Sequence, residues 1–223
     1  EIVVMNGVTS AAADEIYVTI KGKGGHGSAP HHAVDPVYLS GLIMVALQGY
    51  LSRFVDPMEP MVLTIGKIEG GNRQNIISET ARMEGTLRTM NRELREKLLE
   101  VIPEFITSTA KAHGAEAEVE IVVGYDVGIN DEGMNNLVKE AFSETYPDYK
   151  IVEKDKGMLG AEDFYEFGLG NSIPIAMFAL GGGNEEKGFV GDNHSNYFDI
   201  DEDCLPIGTT TLVTTAIKFL NQS

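Results

Sequence analysis

Three histidines crowd into GKGGHGSAPHHAVDP, residues 22–36, between a strand-like run and a long apolar helix pattern. Glycines flank His26 closely, and glycine lets a backbone approach a ligand or a partner chain. That leaves His26 three uses: metal ligand, catalytic group or solvated turn residue. His31 and His32 follow Pro30 in a polar turn, where capping the next helix accounts for them equally well. His194 sits in GDNHSNYFDIDED, after an apolar strand pattern. Neutral imidazole beside carboxylates suits a divalent cation, and ligands of open α/β sheets gather at the carboxyl ends of strands. A metal needs three or four ligands, and no other His, Cys or paired carboxylate stands at convincing spacing from His194. The EF-hand spacing is absent from DIDED. His113 falls in the last turn of a predicted helix, where the helix dipole explains it.

Asn75 in GGNRQNIIS and Arg88 in GTLRT are expected near each other, on neighbouring strands or their link. A guanidinium with an amide nearby can hold a carboxylate through two parallel hydrogen bonds. An ordinary ion pair between an edge-strand arginine and a surface acid explains Arg88 equally well. LGAEDF is predicted to open a helix, and acids such as Glu162 and Asp163 favour a first turn whatever the function. Gly181–Gly183 do not follow the phosphate-loop pattern, which argues against nucleotide binding.

The chain around these residues has 223 positions, 43% hydrophobic and 23% charged, enough apolar material for a real core. Seventeen Lys and Arg against 34 Asp and Glu give a formal charge of -17. Such a surface repels phosphate backbones and anionic lipids, so neither nucleic acid nor membrane is an expected partner. No segment reads as an uninterrupted membrane span, and EIVVMNGVTS lacks the basic flank and apolar core of a signal peptide. The single cysteine, Cys204, excludes an intrachain disulfide and fits a cytoplasmic location.

Periodicity supplies the elements that must position the candidates. Ile16, Val18 and Ile20 alternate along a half-buried strand in DEIYVTIKG. A helix follows, with Asp35 as N-cap, Pro36 at its first position and apolar residues recurring at three and four. Strands are predicted over 61–70 and 80–89. A second helix runs from an Asn91 cap to a Gly114 stop, and a strand over 117–124 follows. The order from Asp14 to Gly124 is β-α-β-β-α-β, a ferredoxin-like antiparallel sheet with both helices on one face. Beyond it come a helix over 132–147, a short strand near Ile151, the apolar run IPIAMFALGGG (173–183) and a final helix. That continuous run is expected to be covered on both faces, as in an α/β sheet. Residues 125–223 therefore read as part of a larger α/β domain, with residues 1–13 as a segment of that same domain or a linker and 14–124 inserted.

Read together, TIKGKGGHGSAPHHAVDP, GGNRQNIISETARMEGTLR, MLGAEDF and HSNYFDIDEDCLPIG resemble the M20 family of metallopeptidases and amidohydrolases. The likeness is greatest to its amino-acid amidohydrolase branch, which includes hippurate hydrolase and auxin-conjugate hydrolase. The resemblance implies that 14–124 is a lid, or dimerisation, domain inserted into an incomplete α/β metallopeptidase catalytic domain. It also implies a homodimer formed through the lid and hydrolysis of an N-acyl amino acid or related amide. Two divalent metals, zinc or manganese, are implied for each full-length subunit. His194 corresponds to the family's C-terminal metal ligand. His26 corresponds to the lid histidine that reaches the other subunit's site and supports the oxyanion. Asn75 and Arg88 correspond to lid positions that hold the substrate's carboxylate end. The family's first ligand motif, its Glu-Glu pair and a further histidine are not found in this sequence. The expectation is a C-terminal portion of a longer enzyme, binding little metal and inactive alone. The alternative is a non-catalytic dimerisation or small-molecule-binding module.

Overall fold

The alternating Ile16, Val18 and Ile20, each no more than 1% exposed, form the seam of a four-stranded sheet with two helices on one side. The computed structural model describes residues 1–168 and 173–222. Its strands are β1 (Ile2–Met5), β2 (Gly7–Ser10), β3 (Ala12–Lys21), β4 (Gly25–His26), β5 (Met61–Gly70), β6 (Ile76–Ile77), β7 (Thr80–Thr89), β8 (Glu116–Val122), β9 (Gly128–Asn130), β10 (Ile151–Lys154) and β11 (Phe178–Leu180). The helices are α1 (Pro36–Phe54), α2 (Arg92–Ala112), α3 (Glu132–Thr145) and α4 (Cys204–Leu220). They divide into two units: residues 10–128 with 158–163, and residues 1–9, 129–157 and 164–223.

In the first of these, the strand order is β5-β7-β3-β8, all neighbours antiparallel. The buried face of β3 packs on Leu39, Ile43, Leu47 and Leu51 of α1 and on Leu98, Ile102 and Ile106 of α2. Both helices begin as their caps require. The Asp35 carboxylate accepts from the Val37 and Tyr38 amides at 2.9 and 3.1 Å, and Asn91 accepts from the Leu94 amide at 3.1 Å. Helix α2 ends with Gly114 in the left-handed region at φ 78, which glycine adopts without a Cβ penalty. The Gly114 amide then reaches Lys111 O and the Ala115 amide reaches Ala110 O, at 3.0 Å each. By length and composition α1 could cross a membrane, contrary to the expectation that no segment would. Its Leu39–Ile43–Leu47–Leu51 side lies in this core.

A buried ion pair ties α2 to the sheet. Arg95 donates from Nε and Nη2 to the two oxygens of Asp14 at 2.9 and 2.6 Å, and Nη2 also donates to Gly124 O at 3.1 Å. The Gly124 amide completes the shell of Asp14 at 3.1 Å.

The second unit has the sheet order β10-β1-β11, with β1 parallel to β10 and antiparallel to β11. Ile2 and Val4, within the stretch read from sequence as a segment of the larger α/β domain or a linker, are fully buried with Val138 and Phe142 of α3. Asn130 crosslinks this unit, donating to Met5 O and Met177 O and accepting from the Met177 amide, each at 2.9 Å. The run IPIAMFALGGG departs from expectation. Among the described residues only Phe178–Leu180 of this run is strand, it pairs with β1 alone, and Ala179 is exposed. An edge strand needs no cover on both faces.

Candidate functional site

His26 closes the two-residue strand β4, paired with β6 so that His26 stands opposite Ile76. The next residues make a tight turn, in which the Ala29 amide donates to His26 O at 2.8 Å. Glycine suits the close approach there: a Cβ on Gly27 would lie 3.0 Å from Asn75 O and 3.3 Å from Asn75 Cα, tight enough that the neighbouring backbone would have to give. The Gly27 amide donates to that same oxygen at 2.8 Å. The structure thus brings His26 and Asn75 together, which sequence spacing alone did not indicate. The ring of His26 is exposed, and its Nδ1 faces the Ser28 amide at 3.1 Å and the Ser28 hydroxyl at 2.8 Å. His31 and His32 form one 3-10 turn with rings 4.0 Å apart, and neither caps α1, because Asp35 does. His113 caps the end of α2 and is exposed.

Arg88 is elsewhere. It pairs across the sheet with Ala13 and Val62, at the end of β7 away from Thr80. Eight residues of strand at about 3.3 Å each separate it by roughly 26 Å from Thr80, and Asn75 lies beyond that end. The expectation that Asn75 and Arg88 are neighbours is therefore corrected within one chain. The antiparallel register decides this, by carrying Arg88 the length of the strand from the β6 link. Arg88 lines a cavity of about 740 Å³ on the sheet face opposite the helices, with Tyr17, Thr64, Lys67, Glu84 and Tyr125 among its walls. Lys67 is engaged by Glu84 at 2.8 Å and Glu69 at 3.2 Å, which raise its pKa. The hydroxyl of Tyr17 donates to Glu15 at 2.6 Å, and that carboxylate raises the phenol's pKa. Arg88 makes no ion pair among the described residues, so its guanidinium is the cation available in this cavity.

His194 sits in an exposed turn with φ 65, the one non-glycine residue at positive φ among those described. Such backbone outliers gather at functional sites. Nearby in sequence, Lys187 reaches Asp201 and Asp203 at 2.8 Å each, and Asn184 donates to Asp201 at 2.6 Å. Lys187 and Asn184 hold the Asp201 carboxyl down to about 2. Among the described residues, no three His, Cys, Asp or Glu side chains converge to hold a metal ion. The donor set present does not fit a dinuclear site, and His194 belongs to no ligand group among the described residues. Glu162 is exposed, and GAEDF opens a 3-10 turn at Asp163–Phe167 rather than an α-helix.

Sequence reasoning missed Ser28 and the Asp14–Arg95 pair. A hydroxyl residue two positions after the histidine was a usable signal for the first, by analogy with side chains that bond their own backbone two residues on.

Comparison with known proteins adds an independent line. Residues 12–114 match the M20 peptidase dimerisation domain. Thermostable carboxypeptidase 2 of Saccharolobus solfataricus is 35% identical over 217 residues, which are 97% of this chain and 54% of that protein. N-acetyldiaminopimelate deacetylase of a Geobacillus species is 35% identical over 175 residues, 78% of this chain and 46% of its own length. A solved Bacillus subtilis structure, described as a dinuclear metal-binding peptidase from the M20 family, superposes with TM-score 0.76 at 25% identity, covering 99% of this chain and 53% of that one. The chain spans about half the length of the relatives it matches.

Proposed function

This chain belongs to the M20 peptidase family, and from that premise we propose that its protein hydrolyses the amide bond of an N-acyl amino acid or a related peptide. The observation that carries the reading is 35% identity to a carboxypeptidase along 97% of the chain. Two divalent ions, zinc or manganese, would activate water and polarise the amide carbonyl when bound. His194 is assigned as one ligand, and the remaining ligands and the Glu base are assigned to sequence outside this chain. His26 supports the developing oxyanion of the partner subunit's substrate through an imidazole N–H. Arg88 and Asn75 hold the substrate's carboxylate end; their separation in one chain favours contributions from two different subunits. A cytoplasmic location accompanies this reading.

The homodimer implied by the dimerisation domain is assigned to α1 and the adjoining edge strand β5. No charged residue occurs between Pro36 and Ser52, in a chain of formal charge -17. Tyr38 and Val45 point outward at 62% and 68% exposure. A Cβ on Gly41 or Gly49 would meet nothing within 4 Å, so the chain's own packing does not require these glycines. An antiparallel pair of α1 helices centred on Val45 sets Gly41 opposite Gly49 and Tyr38 opposite Ser52, a self-complementary arrangement suited to a two-fold axis.

The test is hydrolysis of an N-acyl amino acid panel by the full-length protein loaded with zinc or manganese. His26→Ala should lower kcat by roughly 10²–10³ while the dimer persists. Loss of the dimer instead would make His26 structural. A second reading, a non-catalytic dimerisation or small-molecule-binding module, is favoured by the absence of a metal-holding group among the described residues. Turnover by the full-length protein would remove it.

A further inference from the structure

We infer that Ser28 is a positioning residue that holds His26 as the Nε2–H tautomer, with its remaining N–H directed away from the protein's own turn. The inference rests on the reading of His26 as an oxyanion donor. A neutral imidazole has one N–H and one acceptor nitrogen, and which is which follows from the partner each ring nitrogen meets. Nδ1 of His26 meets the Ser28 amide at 3.1 Å. An amide can only donate, so that bond exists only while Nδ1 is the acceptor. The Ser28 hydroxyl, 2.8 Å from the same nitrogen, can rotate to donate as well. With Nδ1 accepting, the proton resides on Nε2, the ring's far corner, and the ring is exposed. A donor intended for a developing oxyanion has to carry its proton at the atom that reaches outward, and this turn arranges that.

The turn itself is held in place from both sides. The Ala29 amide closes it on His26 O, and the Gly27 amide fastens it to Asn75 O, both at 2.8 Å. A Cβ on Gly25 would lie 2.9 Å from the Ala33 Cβ, so side-chain bulk is excluded on the strand as well as in the turn. The Ser28 donors are therefore set by a backbone with little freedom to turn away. The arrangement also explains glycines around His26 without invoking metal: they let two chain segments close around the residue that orients the ring.

The experiment is long-range proton–nitrogen NMR of the imidazoles in the ¹⁵N-labelled chain, at a pH where the rings are neutral. His113, exposed at a helix end, is the internal reference. His26 should show an unprotonated Nδ1 and a protonated Nε2, with the tautomer ratio shifted toward Nε2–H by roughly fivefold or more relative to His113. Ser28→Ala keeps the amide and loses the hydroxyl, so the shift should shrink, and Ser28→Thr should restore it. Far-UV circular dichroism reports whether each variant folds. A His26 ratio matching His113, or a protonated Nδ1, overturns the inference; a Ser28→Ala spectrum identical to the unsubstituted chain overturns the hydroxyl's part in it. In the full-length enzyme Ser28→Ala should lower kcat and leave KM unchanged. If His26 is biased as expected and His26→Ala leaves hydrolysis intact, the tautomer assignment stands and the catalytic reading of His26 falls.

Discussion

Replacing Arg95 by methionine isolates the largest polar commitment in the four-stranded unit. The side chain of Asp14 is 1% exposed and that of Arg95 10%. The carboxylate accepts three hydrogen bonds, two from Arg95 and one from the Gly124 amide. Arg95→Met leaves it with the Gly124 amide alone, in a place water scarcely reaches. Removing one partner of a buried pair costs about 3–5 kcal/mol, chiefly because the other charge is left uncompensated. Asp14→Ala should cost a similar amount, since it strands the Arg95 guanidinium with Asp126 at 3.3 Å and Gly124 O. The double variant carries neither orphaned charge, and Asp126 keeps Arg92 at 2.9 Å. Its cost should therefore lie well below the sum of the single costs, with a coupling of about 2–3 kcal/mol. The chain has no tryptophan, so urea unfolding is followed by far-UV circular dichroism. With a slope of about 1–3 kcal/mol per molar urea, each single variant should lower the midpoint by at least about 1 M. Hydrogen exchange resolved by mass spectrometry should localise the loss to β3, β7, β8 and α2. Single variants costing under about 1 kcal/mol, or costs that simply add, would refute this account of the pair.

Gly41→Leu and Val45→Arg alter outward positions of α1, so each should convert a dimer to monomer in sedimentation while leaving helix content unchanged. A dimer that survives both would move the interface to another face. Near His194, the Asp201 carboxyl is held at about 2 against an ordinary 3.8 by Lys187 and Asn184. Its contribution is complete above pH 3.8 and lost as pH falls through about 2, whereas the raised Lys187 contributes below 10.5 and loses this only as pH rises through its folded value. Carboxyl NMR should find the Asp201 midpoint near 2, and Lys187→Met should bring it toward 3.8. The 223-residue chain, dialysed after exposure to zinc or manganese, should retain far less than two metal ions per molecule and should not turn over N-acyl amino acids. Retention of two ions would mean that ligands other than His194 have gone unrecognised.

The β-α-β-β-α-β order of the lid was legible because its determinants are local. Ile16, Val18 and Ile20 alternate within five residues, Asp35 and Pro36 start a helix at their own position, and Gly114 stops one by its own φ. His26, Asn75, Arg88 and His194 stood out by residue type and by neighbours a few positions away, and their family resemblance lies in the same short motifs. Tertiary structure decided everything that depends on long closures. Asp14 meets Arg95 across 81 positions, a pairing no periodicity records. Strand register sent Arg88 to the far end of β7 from the Asn75 link, because antiparallel pairing converts closeness in sequence into distance along a strand. Ile2 and Val4 became a central strand only once β10 and β11 came to either side. Ser28 shows the boundary between the two kinds of information. Its place two residues after His26 is sequence, but the turn that aims its donors at Nδ1 is also fastened to Asn75 O, from another segment.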